Sequence, residues 1–181
     1  TLPSGVARDV PSVPETRRRW REHCEEKNKK YKYLATFQGQ VNRQMKRTIY
    51  PCAPFKGRLR EAMQFMHNPE KGIIMSGEVG VHMRKGVEVE SYFNYSYSEL
   101  MQETYYALVP AGDSSWSYRF IEALAFGKVP IVVADDWDLP FAHLLDWDSL
   151  SLRIPEKNNW NDSDSFIRKI KEFAGSGKSK H

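Results

Sequence analysis

Residues 108–124 read Leu-Val-Pro-Ala-Gly-Asp-Ser-Ser-Trp-Ser-Tyr-Arg-Phe-Ile-Glu-Ala-Leu. An apolar strand, Tyr105 to Val109, is stopped by Pro110 and Gly112, and a helix begins near Ser117. The first turn of a helix presents backbone N–H groups with no intrahelical acceptor, and its dipole favours an anion, so a phosphate suits this point. Arg119, in that turn, can add a two-pronged contact to phosphate oxygens. Glu122 stands one turn further on, where a carboxylate can accept hydrogen bonds from vicinal hydroxyls such as those of a ribose. The same residues have a plainer reading, with Ser117 an N-cap, Glu122 a residue of the helix surface and Arg119 its ion-pair partner at i, i+3. Spacing alone does not separate the two.

Either chemistry needs a scaffold, and the chain alternates between strand and helix patterns. Strands are expected at Tyr33–Phe37, Gly72–Met75, Tyr105–Val109, Lys128–Ala134 and Leu150–Ile154. Helices are expected at 15–30, Arg58–His67, Tyr97–Glu103, Ser117–Phe126, Leu139–Leu144 and Asp164–Phe173. The helix over 117–126 ends at Gly127 as a C′ glycine would end it, and Ser96 or Ser98 caps the helix from Tyr97. Alternation of this kind predicts an α/β fold with a parallel sheet and helices on both faces. The strand at 128–134, apolar throughout, reads as a central one. Ligands of such sheets sit beyond the carboxyl ends of the strands, at the switch point in strand order. That rule selects the loops after Phe37, Val109 and Val133.

The chain has 181 residues, with 40% apolar and 28% charged residues, as a globular domain does. Its size allows about 70% of the unfolded surface to be buried without a metal or disulfide staple. No apolar run approaches the roughly 20 residues of a membrane span. Net charge is +4, and the excess lies in residues 15–32, where eight basic residues meet four acidic ones. A solvated helix explains that segment most simply, with an acidic-polymer patch as the other reading. Cys24 and Cys52 lack zinc-ligand spacing. The expected domains are a linker and charged helix at 1–30, an α/β domain at 31–174 and a flexible tail at 175–181.

The stretch from Leu108 to Trp147 resembles the exostosin-like glycosyltransferases. It carries Pro110-Ala111-Gly112, Ser117-Tyr118-Arg119, Glu122-Ala123, Gly127-Lys128-Val129-Pro130-Ile131 and Pro140-Phe141 in that family's order. Phe37-Gln38-Gly39 with Arg43 is similar to the family's first strand and glycine loop, and Arg8-Asp9-Val10-Pro11 to the segment joining its two halves. The resemblance implies a Rossmann-like doubly wound parallel sheet forming the C-terminal, donor-binding half of a GT-B enzyme. It further implies an inverting transfer of sugar from a nucleotide donor, a UDP-sugar above all, to a glycan or polysaccharide acceptor.

By that resemblance Gly39, Arg43, Gly112, Ser117 and Arg119 bind the donor diphosphate and Glu122 takes the ribose hydroxyls. No metal and no cofactor beyond the donor substrate is implied, and nucleic acid is not a partner. The catalytic base belongs to an N-terminal half that would precede Thr1, so no residue here is assigned to it. The location implied is the Golgi lumen, with a type II membrane anchor outside this sequence. Lys128 departs from the family's usual cysteine, a change of packing, and Asp113 places an acid beside the proposed phosphate.

Other signals are weaker. Asp136-Trp137-Asp138 imitates a metal-binding Asp-x-Asp, but its place between strand and helix makes Asp138 an N-cap. His82 and His143 stand alone. Trp116 can cover a uracil or sugar ring, and Phe65, Met63 and Met66 read as core. Asn94-Tyr95-Ser96 and Asn161-Asp162-Ser163 are glycosylation sequons. The alternative to an enzyme is a non-catalytic module of the same ancestry, serving assembly or holding an acidic polymer through 15–32.

Overall fold

In the computed structural model, which describes residues 12, 14–18, 31–39, 59–76, 96–112 and 115–176, five runs of chain pair in one all-parallel sheet. They are β1 (Tyr33–Gln38), β2 (Ile73–Ser76), β3 (Thr104–Pro110), β4 (Val129–Val133) and β5 (Leu152–Arg153), ordered β2-β1-β3-β4-β5. Helices precede, separate and follow them: α1 (14–18), α2 (Leu59–Met63), α3 (Tyr97–Gln102), α4 (Tyr118–Ala125), α5 (Trp147–Leu150) and α6 (Ser163–Gly175). Short 3-10 turns at Gln64–Met66 and Pro69–Lys71 lead into β2. The doubly wound, Rossmann-like α/β architecture is therefore present. The middle of the sheet is β3, while β4 lies between β3 and the two-residue β5.

Side chains alternate across a strand, so each interior strand supplies both layers of core. Ala35 and Phe37 of β1, Tyr106 and Leu108 of β3, and Ile131 and Val133 of β4 join Leu59, Met63, Phe166, Ile170 and Phe173 on one face. Ala107, Val109 and Val132 point the other way, toward Met101, Phe120, Ala123 and Phe126. Helices α2 and α6 cover the first face, and α3 and α4 the second. Thr36 and Thr104 hydrogen-bond each other inside the sheet at 2.8 Å, so their buried hydroxyls are satisfied.

Local chemistry explains the element ends. Ser96 and Glu99 close a reciprocal capping box on α3. Asp162 caps α6 by accepting from the Ser165 N–H at 2.8 Å. Gly127 follows α4 at φ 66°, the left-handed geometry expected of it. Lys128 does more than pack. Its buried ammonium lies 4.3 Å from the Tyr31 ring centroid and donates at 3.3 Å to the Gln102 carbonyl, on the last residue of α3. A cation there complements the helix dipole and the ring.

Several expectations are corrected. No helix forms over 139–144; the chain makes hydrogen-bonded turns, with Phe141 at φ 58°, a value that no right-handed helix accommodates. The helix comes later, as α5, capped by Asp146 rather than Asp138. It takes up Leu150 and so shortens the last strand. Phe65 is 43% exposed rather than core, while Met63 and Met66 are buried. Of the charged helix, only α1 falls among the described residues; Arg19, Cys24, Cys52, His82 and Asn94 lie outside them. No helix among the described residues is long and apolar enough to cross a membrane.

One turn holds β1 against β2. The Gly72 carbonyl accepts from the Leu34 and Ala35 N–H groups at 2.8 and 3.2 Å, and Gly72 itself has φ 73°. A Cβ added there would lie 2.9 Å from the Leu34 nitrogen. Gly72→Ala therefore combines left-handed strain with a backbone clash, and is expected to destabilise the domain by about 1–3 kcal/mol. A fall in the urea unfolding midpoint at unchanged slope checks this.

Candidate functional site

Strand β1 connects to β2 on one side, and the chain then crosses back past β1 to β3, β4 and β5 on the other. The switch point thus lies between β1 and β3, whose carboxyl ends carry Gln38-Gly39 and Pro110-Ala111-Gly112. Helix α4 begins over the same edge. Ser117 is its N-cap, extended at φ −142°, ψ 133°, buried, and with no side-chain capping hydrogen bond. The helix start is therefore left without the side-chain acceptor that an N-cap serine ordinarily supplies.

Arg119 and Glu122 face inward from α4, and both are 8% exposed. Arg119 Nη1 donates to Glu122 Oε2 at 2.5 Å. The same oxygen accepts from the Tyr97 hydroxyl of α3 at 2.9 Å. The guanidinium lies 4.4 Å from the Tyr97 ring centroid and 5.8 Å from that of Phe37. A buried ion pair is tolerable only when further hydrogen bonds and close packing offset the loss of water, and here a phenol and two rings do so. Burial, assisted by the neighbouring Glu122 carboxylate and opposed by Arg119, pushes the Tyr97 phenol well above the ordinary tyrosine range.

Gly39 meets this group directly. A Cβ on Gly39 would stand 2.6 Å from Arg119 Nη2 and 3.2 Å from the Phe37 ring. The missing side chain is what lets the guanidinium lie against the end of β1. Gly112 is equally confined: its Cβ would be 3.0 Å from the Trp116 carbonyl oxygen and 4.0 Å from the Ser117 Cα. Of the six residues singled out in the sequence, Gly39, Gly112, Ser117, Arg119 and Glu122 gather at the carboxyl edge of β1 and β3. Arg43 lies outside the described residues.

The ion pair of the plainer reading exists, but it is buried rather than on a helix surface. Tyr97 carried no functional signal in the sequence. It lies 25 residues from Glu122, and only its place just after the Ser96 cap pointed to where its side chain begins.

The remaining candidates fall elsewhere. Asp135 exchanges backbone–carboxylate hydrogen bonds with Glu156, at 3.0 and 3.3 Å, which ties the end of β4 to the segment after β5. Trp137 packs against Phe120 at 5.1 Å between centroids. Among the described residues, no group of three His, Cys, Asp or Glu could hold a metal. His143 is exposed. Trp116 stacks edge-on with Tyr118 at 4.5 Å, and both residues are exposed beside the start of α4.

The model of the exostosin GT47 domain matches residues 5–169. The chain belongs to this family. An exostosin-1 homolog of Caenorhabditis elegans is 27% identical over 158 residues, covering 81% of this chain and 39% of that protein. The probable beta-1,4-xylosyltransferase IRX10 of Arabidopsis thaliana is 40% identical over 63 residues, covering 35% of this chain and 15% of its own length. Exostosin-1a of Danio rerio is 30% identical over 95 residues, or 49% and 13% of the two chains. The chain thus spans less than half the length of these curated relatives. Relatives named as glycosyltransferases place this member of the exostosin family within a transferase family, and its Rossmann-like sheet is the architecture the family resemblance implied.

Replacing Tyr97 by Phe removes one hydrogen bond to a buried carboxylate, and is expected to cost about 1–2 kcal/mol. A phenol held protonated in the fold contributes its full stabilisation below its unfolded pKa of about 10 and loses it as pH rises beyond that. The stability gap between wild type and Tyr97→Phe should therefore narrow above pH ~10, which chemical denaturation across pH 8–11 measures.

Proposed function

We propose that the chain is the donor-binding domain of an inverting, metal-independent glycosyltransferase. It transfers sugar from a nucleotide diphosphate donor, a UDP-sugar, to a glycan or polysaccharide acceptor. The observation that carries this reading is the approach of the buried Arg119 guanidinium to Gly39, at the switch point and in the first turn of α4. A permanent cation, a side-chain-free backbone and a helix N-terminus meet where α/β sheets bind ligands.

The chemistry asked of such a site is electrostatic. Cleavage of the sugar–phosphate bond leaves negative charge on the departing diphosphate. Donors fixed in place before reaction stabilise that charge without reorganising. Arg119 is fixed in this way: Glu122 holds one edge, and the Tyr97 ring holds the face. Glu122 has a second role in this reading, since a carboxylate accepts up to about four hydrogen bonds and can take ribose hydroxyls as well. Trp116 covers the base or the sugar ring.

Inversion also requires a base on the far side of the anomeric carbon, to deprotonate the attacking hydroxyl. Among the described residues none is assigned that role, and His82 lies outside them. The role falls to an acceptor-binding half in the full-length protein, together with a membrane anchor and residence in the Golgi lumen. This domain alone is expected to bind nucleotide and to transfer sugar slowly or not at all.

Isothermal calorimetry with UDP tests the reading. Wild type should bind, and Arg119→Ala should weaken binding at least several-fold, because charge-assisted bonds are worth about 1.5–3 kcal/mol each. Removing the arginine strands a buried carboxylate, so Arg119→Lys, which keeps the charge but loses the planar fork, serves as the folded comparison and should also weaken binding. Equal affinity in all three proteins would overturn the assignment. The absence of any UDP binding, with retention on heparin that falls when Arg17 and Arg18 are neutralised, would favour the non-catalytic module.

A further inference from the structure

Two stretches of the chain, Asn94-Tyr95-Ser96 and Asn161-Asp162-Ser163, carry the Asn-x-Ser pattern at which an oligosaccharide can be joined to nitrogen. An attached oligosaccharide is bulky and hydrophilic, so its asparagine must face solvent with an amide that the fold does not use. The segment after β5 holds three asparagines, Asn158, Asn159 and Asn161, and the structure treats them differently.

Asn158 Oδ1 accepts from the Lys169 ammonium of α6, and its Nδ2 donates at 3.4 Å to the Asn159 carbonyl. Asn159 Oδ1 accepts from the Asn161 backbone N–H at 3.2 Å. Trp160 is buried, and its indole donates at 2.9 Å to the Glu156 carbonyl. Asp162 is committed to the cap of α6, accepting from the Ser165 N–H at 2.8 Å. The turn is thus pinned on both sides of Asn161, which is itself exposed. Among the described residues, neither the Asn161 side-chain amide nor the Ser163 hydroxyl takes part in a hydrogen bond. The hydroxyl of Ser96, by contrast, accepts from the Glu99 N–H at 3.2 Å in the capping box of α3. One Asn-x-Ser is drawn into a helix start; the other keeps both its amide and its hydroxyl unengaged.

We propose that Asn161 is a modification site, whose Nδ2 accepts an N-linked oligosaccharide, with Ser163 completing the recognised sequence. This rests on the luminal residence proposed above and is independent of the nucleotide site. In the transfer, Nδ2 forms a bond to the anomeric carbon of an oligosaccharide carried on a lipid diphosphate. The bond from that carbon to the diphosphate oxygen breaks, the lipid diphosphate leaves with the electron pair, and Nδ2 gives up one proton. The modified turn follows β5, with β4 standing between it and β3, so the glycan is rooted away from the crevice between β1 and β3.

The test translates the whole chain, led by a cleavable secretory signal peptide, in the presence of endoplasmic-reticulum microsomes. Gel mobility is read before and after treatment with peptide N-glycosidase. Asn94→Gln is the starting variant, so that a single Asn-x-Ser remains. It should show one step of slower mobility, which the glycosidase removes. Adding Asn161→Gln should abolish the step, and so should adding Ser163→Ala, which keeps the asparagine. In unglycosylated protein, Asn161→Gln should leave the thermal unfolding midpoint unchanged, because the fold does not use this amide. No step in the Asn94→Gln chain, a step that survives Asn161→Gln, or a marked fall in that midpoint overturns the proposal. The signal peptide delivers the chain whatever its natural address, so these failures leave luminal residence untouched. A full-length protein located outside the secretory pathway overturns that residence and this proposal together.

Discussion

The contact between Arg119 and Glu122 constrains everything around it. Taking a guanidinium and a carboxylate out of water is costly, and their mutual attraction offsets that cost only if the geometry is tight and other partners complete the shell. Tyr97 supplies both a donor to the carboxylate and a face for the guanidinium, and the Phe37 ring lies 5.8 Å from the same guanidinium. The pair therefore ties α4 to α3 and to the end of β1. Tyr97 also packs edge-on against Phe126 at the far end of α4, with centroids 6.0 Å apart. A shift of α3 would thus disturb the helix start and the helix end together. Rigidity of this kind is what a preorganised anion site requires.

The sheet explains why that pair sits at the carboxyl edge of β1 and β3. The order β2-β1-β3-β4-β5 reverses direction at β1 and β3, so the connections leaving these strands diverge and a crevice opens at their carboxyl ends. Glycines occupy the two places where side chains would fill it. Gly39 admits Arg119, and Gly112 admits the Trp116 carbonyl. Buried on both faces by Ala107, Leu108 and Val109, β3 gives this edge a backbone with little freedom to move. The membership in the exostosin family and the local geometry point the same way, although the relatives are much longer than this chain.

Much of the architecture was legible from pattern. The apolar runs at 33–37, 72–75, 105–109 and 128–134 became strands within a residue or two of the expected limits, and Gly127 ended α4 as its backbone freedom suggested. These features are local: a strand's alternation, a glycine's left-handed turn and a capping box are each encoded within a few neighbouring residues. The errors were of another kind. Over 139–144 the residues have helix-compatible spacing, but Phe141 takes a positive φ and the Trp147 indole donates to the Pro140 carbonyl at 2.7 Å, closing the segment as turns. Phe65 faced solvent because α2 tightens into a 3-10 turn after Met63, and the apolar spacing no longer falls on one side.

The sequence by itself determined that strands would alternate with helices, that a helix would begin beside a glycine-containing loop, and that an arginine and a glutamate would share one side of that helix at i, i+3. Each follows from short-range sterics and periodicity, which act within one turn or one strand. Only the tertiary structure decided that this side faces inward, that Tyr97 completes the ion pair from another helix, and that Arg60 reaches Phe37 and the Ala111 carbonyl from a third. Those choices depend on which strands pair and in what register. Residues 25 and 51 positions apart in the chain meet because a parallel sheet places successive carboxyl ends side by side, and no local periodicity records that.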